Sequence, residues 1–165
     1  MAELTNLESK LAEVLGLAAA AKGATQKVKS MLDEDERDLA ATLERMSSEA
    51  AETEQRCTEA AGTFDGKKTA IVEQGRETRQ EAEEMMKTYL ADEQEALDGF
   101  EFLTMAEAGE VGHWAILEKL NERAINSQIA ELTGWALPIQ EAHLRAVRDG
   151  SLVLARREDP NEVVG

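Results

Sequence analysis

The chain has 165 residues, 34 of them acidic and 18 basic, for a formal charge of −16. An acidic balance of that size repels phosphate backbones and argues against nucleic acid as a partner. No apolar run reaches the ~20 residues that a bilayer span needs. The opening Met1-Ala2-Glu3-Leu4 has no basic stretch leading into an apolar one, so neither a membrane partner nor a secretory signal is expected.

Apolar residues make up 42% of the chain, aromatics only 4%, and there are two prolines. That mix points to long helices and an all-α single domain, placed over 1–158 with a flexible tail at 159–165. Cys57 is the only cysteine, so no internal disulfide can form, which fits a reducing, cytoplasmic setting.

Leu4, Leu7, Leu11, Val14, Leu15 and Ala18 recur at three- and four-residue spacing and predict helix A over 3–31. Gly16 and Gly23 lower its propensity, and small residues there would let another backbone approach. The acidic run Asp33 to Glu36 suits a turn and the positive N-terminal end of helix B, expected over 34–61 with Leu39, Leu43, Met46, Ala50, Cys57 and Ala60 on one face. Gly62 to Gly66 makes a turn. Residues 67–91 form a third helical stretch, apolar at both ends and polar around Glu73 to Gln80, expected as a connector that packs at its ends.

Leu97, Phe100, Leu103, Ala106, Trp114, Leu117 and Leu120 mark helix C over 93–123, and after a break at 121–127 helix D runs over 127–156. Pro138 falls inside helix D and is expected to bend it near Gly134 and Trp135. Short junctions make A–B and C–D antiparallel hairpins, joined by a long crossover carrying the extra helix.

Glu110 and His113 stand three apart on helix C and so project from one face, as in the Glu-x-x-His pairs by which carboxylate bundles hold iron or manganese. The other histidine, His143, lies on helix D. With a turn near residue 125 and a rise of ~1.5 Å per residue, His143 comes to nearly the level of Glu110 and His113. The same reckoning on A–B brings Glu49 to that level. Helix A offers no acid between Glu13 and Asp33, and Gln140 replaces glutamate in the second pair, so the count favours a mononuclear or incomplete site. Glu141 would join only if the bend at Pro138 turned it inward. The competing reading is a metal-free helical-bundle scaffold or interaction protein whose histidines make core hydrogen bonds. Cys57, among Glu52, Glu54 and Glu59, reads as an unreactive core or boundary thiol.

The helix order, the tract Gly66-Lys67-Lys68-Thr69-Ala70-Ile71-Val72-Glu73 and the tract Ala108-Gly109-Glu110-Val111-Gly112-His113-Trp114 resemble the ferritin-like superfamily, nearest its small bacterial YciF-like group. The resemblance spans most of residues 10–155. It implies a ferritin-like four-helix bundle, often a homodimer, with iron or manganese held by Glu49, Glu110, His113 and His143, and a role in iron or oxidative-stress handling.

Overall fold

The computed structural model describes residues 1–91 and 94–165 and is all-α. In chain order its helices are α1 (Asn6–Lys29), α2 (Arg37–Ala61), α3 (Lys68–Tyr89), α4 (Ala96–Ala124) and α5 (Ser127–Ala155). All five predicted stretches are present. The expected first residue of helix C, 93, lies outside the described residues.

The ends are set by local hydrogen bonding. α1 starts after Thr5 because Thr5 and Glu8 cap each other: the Glu8 N–H donates to Thr5 Oγ1 at 3.2 Å and the Thr5 N–H to Glu8 Oε2 at 2.8 Å. Residues 33–36 form the turn, so α2 begins three residues later than its acidic cluster suggested. α4 ends at Ile125, which takes the left-handed conformation (φ 52°) that a β-branched side chain resists. Asn121 and Asn126 hold it there. The Asn126 N–H donates to Asn121 Oδ1 at 3.0 Å, and Asn126 Oδ1 in turn caps α5 by accepting from the Ile129 N–H. α5 continues unbroken through Pro138.

α1 packs against α2, α3 and α4, and α5 packs against α4 and α2. His113 of α4 lies beside Lys10 and Gly99 beside Val28, which makes α1 and α4 antiparallel. Gln74 donates to Ser9 and Gly75 abuts Gly16, so α3 runs alongside α1 in the same direction. The middle of α3 is therefore packed, not only its ends. It docks through a glycine-on-glycine contact that a search for apolar stripes does not detect.

That contact carries a prediction. A Cβ on Gly16 would run into the Gly75 carbonyl oxygen and come within 2.7 Å of Thr78 Cβ, whereas one on Gly23 meets nothing within 4 Å. Gly16→Ala should lose about 2 kcal/mol in urea unfolding, overpacking outweighing the gain in helix propensity. Gly23→Ala should gain up to ~1 kcal/mol. Equal effects would show that α3 is not held against α1 at this point.

The core consists of two apolar blocks. One gathers Leu11, Val14, Cys57, Ile71, Trp114, Leu117, Ile129, Leu132 and Ala136. The other gathers Val28, Leu43, Met46, Phe100, Leu103 and Val147. Between them in chain order, on α2, α4 and α5, fall Glu49, Glu107, Glu110, Gln140 and His143. α1 passes that level with alanines, Ala18 among them fully buried.

Candidate metal or proton site in the core

On α4 the buried positions 100, 103, 107, 110, 114, 117 and 121 follow one another in alternating three- and four-residue steps, forming one stripe. Glu107 and Glu110 fall on it and are 2% and 4% exposed. On α5 the corresponding stripe includes 136, 140, 143 and 147, which buries Gln140 and His143. Helix periodicity, interrupted by polar residues at one level, thus builds a polar layer inside an apolar core.

His143 is the hinge of this layer. Its Nε2 lies 2.9 Å from Glu49 Oε2, and its Nδ1 lies 3.8 Å from Glu107 Oε2. With its amide nitrogen turned toward the carboxylates, Gln140 donates to Glu107 at 3.0 Å and to Glu110 at 3.3 Å. Arg45 reaches Glu49 at 3.6 Å from the solvent side. No lysine or arginine pairs with Glu107 or Glu110 among the described residues.

Burial decides the protonation states. It pushes the Glu110 carboxyl up to about 8. It also raises Glu107 well above the ordinary carboxylate range, with the Glu110 charge adding to the effect. Burial lowers His143, against the opposing effect of its hydrogen bond to the Glu49 carboxylate. The imidazole is therefore neutral near pH 7, with its Nε2 proton donated to Glu49. Its Nδ1 lone pair then faces the Glu107 side. A neutral imidazole fixed by a carboxylate on one nitrogen is the form in which histidine binds metal.

Of the four residues singled out in the sequence, Glu49, Glu110 and His143 belong to this layer. His113 does not. Its ring is 39% exposed, with Nδ1 3.1 Å from Glu13 Oε2 and 3.2 Å from Lys10 Nζ. The Glu110–His113 spacing puts both on roughly one face, but the buried stripe continues through Trp114. His113 is left on its flank, where α1 offers polar partners. Glu141 is exposed and is not turned inward. The additional members are Glu107 and Gln140. Glu107 was detectable, since 103, 107, 110, 114 and 117 repeat at core spacing.

The neighbouring residues are inert. Burial, reinforced by Glu110 and Glu54, pushes the Cys57 thiol far up, so no thiolate is available at neutral pH. Trp114 is fully buried and its Nε1 has no hydrogen-bond partner among the described residues. Trp135 is partly buried, with the Arg56 guanidinium 4.0 Å above its ring. No helix is long and apolar enough to cross a membrane among the described residues. Neither a protein-family model, nor a curated protein, nor a solved structure matches the chain.

Proposed function

We propose that this is a ferritin-like bundle whose interior binds one divalent transition-metal ion, iron or manganese, in metal or oxidative-stress handling. The observation that supports it is a buried layer in which Glu107 lies 3.8 Å from His143 Nδ1 and shares the Gln140 amide with Glu110, neither carboxylate being paired with a lysine or arginine among the described residues. Buried carboxylates need a counter-charge, and only protons or a metal ion can supply one here. An oxygen-rich set with one imidazole suits manganese or ferrous iron. Glu107, Glu110 and His143 would hold the ion, and Glu49 would fix the ring through Nε2. When bound, the ion would supply a redox-active centre. The antiparallel pairing of α1 with α2 and α4, and α3 carried on the outside of α1, agree with a ferritin-like connection.

A second reading has its own support. Among the described residues no three His, Cys, Asp or Glu side chains stand in ligating geometry, and the Glu49–His143 hydrogen bond is complete without metal. On that reading the layer is a protonated hydrogen-bond network in an interaction scaffold. Metal analysis of untagged protein after loading with Mn²⁺ and desalting separates the two. The metal reading expects near-stoichiometric ion in the wild type and trace ion in Glu107→Gln/Glu110→Gln. Trace ion in both would leave the scaffold.

A further inference from the structure

A groove of about 590 Å³ opens between α3 and α4, with α1 as its floor. Its size falls within the range of small-molecule sites. Leu17, Ala20, Ala21 and Ala24 form the floor, small enough to leave the space open. At one end Met86, Phe102 and Leu103 make an apolar wall, and the Phe102 ring is paired with Tyr89 at a centroid distance of 6.1 Å. Met85 and Met105, 53% and 44% exposed, form opposing lips. Methionine side chains adapt readily to an apolar guest.

The charge of the groove is one-sided. Among the described residues six glutamates line it, and no lysine or arginine does. Glu13 is paired with Lys10 and His113, Glu83 is paired with Arg79, and Glu107 and Glu110 are buried members of the interior layer. Glu77 and Glu81 remain, one helical turn apart on α3, both exposed and without an ion-pair partner among the described residues. From Glu77 to Met85 is ~12 Å along the helix, the reach of a medium alkyl chain. A second copy of the chain, itself at −16, would meet like charge here.

We propose that this groove binds a small amphiphilic cation, an organic ammonium with an apolar tail, its charge at Glu77 and Glu81 and its tail over Ala24, Met86 and Leu103. The groove reaches the Glu49–His143 layer at Glu107 and Glu110, but the ammonium and tail contacts lie elsewhere along it and do not depend on the layer holding metal.

The test uses full-length, EDTA-treated protein labelled with ¹³C at the methionine methyls and titrated with n-decylamine below its micelle concentration. Saturable binding that shifts Met85, Met86 and Met105, which line the groove, but not Met1, which does not, is expected. Decanoate and propylamine should each bind at least about tenfold more weakly, lacking the charge match or the tail. Glu77→Lys/Glu81→Lys, two surface changes, should weaken decylamine about tenfold or more. Decanoate or 1-decanol binding as well as decylamine would overturn the proposal, as would no saturable decylamine binding. Methionine signals that move on dilution without ligand would point to a second copy and also overturn it. Because the protein is metal-free throughout, a failure here is distinct from a failure of the metal reading.

Discussion

Glu110→Gln is expected to make the metal-free protein more stable, with a gap that opens as pH rises. The folded carboxyl is raised from its ordinary 4.5 to about 8, so between those values the folded chain keeps a proton that the unfolded chain releases. Stability from this group is complete below 4.5 and is lost as pH climbs through about 8. Glutamine copies the shape of the protonated acid and does not titrate. The variant should match wild type near pH 4.5 and exceed it by roughly 3 kcal/mol at pH 7, because each tenfold difference in proton affinity between the folded and unfolded chain is worth ~1.4 kcal/mol. Urea unfolding of both proteins in EDTA at pH 5 and pH 7.5 measures the gap. A difference that does not change with pH would mean that Glu110 is not held protonated. Added Mn²⁺ should reverse the ranking. At about 1,000 times its Kd the ion would stabilise wild type by ~4.1 kcal/mol, more than the gap at pH 7, and leave the variant unchanged. A residue that weakens the empty protein and strengthens the loaded one is expected at a binding site.

The helices were legible because their signals are local. Three- and four-residue spacing of leucine and valine located α1, α2, α4 and α5, and the Gly62–Gly66 turn located the start of α3. What escaped was contact made without side chains. Gly16 against Gly75 has no hydrophobic signature, so α3 read as a loose connector although its middle lies on α1. The start of α1 moved three residues along because the Thr5–Glu8 cap, not the first apolar residue, sets the boundary.

The polar layer was half legible. Level-counting from the inter-helix turns put Glu49, Glu110 and His143 at one height, and burial followed from the stripe on α5. Height along a helix does not fix azimuth, however. His113 sits three residues from Glu110 yet flanks the stripe that Trp114 continues, and Glu13 and Lys10 of α1 engage it on the groove side. A motif of two residues cannot state which flank faces the core. The surrounding seven-residue pattern can, and it selects Glu107 as the partner of Glu110.

His143→Ala and His113→Ala should differ sharply for that reason. Removing the His143 ring strips Glu49 of its 2.9 Å hydrogen bond and opens a void beside Glu107, at a site 2% exposed. The expected loss is about 3 kcal/mol, from a cavity and orphaned polar groups together. Stabilisation by Mn²⁺ should vanish with it, because the only imidazole in the layer is gone. His113 is 39% exposed and its partners Glu13 and Lys10 pair with each other, so its removal should cost no more than ~0.5 kcal/mol. It should leave any Mn²⁺ effect intact. Thermal or urea unfolding of the two variants, each with EDTA and with Mn²⁺, reads both quantities. Were His113→Ala to abolish the Mn²⁺ effect while His143→Ala kept it, the ion would have to sit on the groove side of α4, and the interior layer would be left with protons alone.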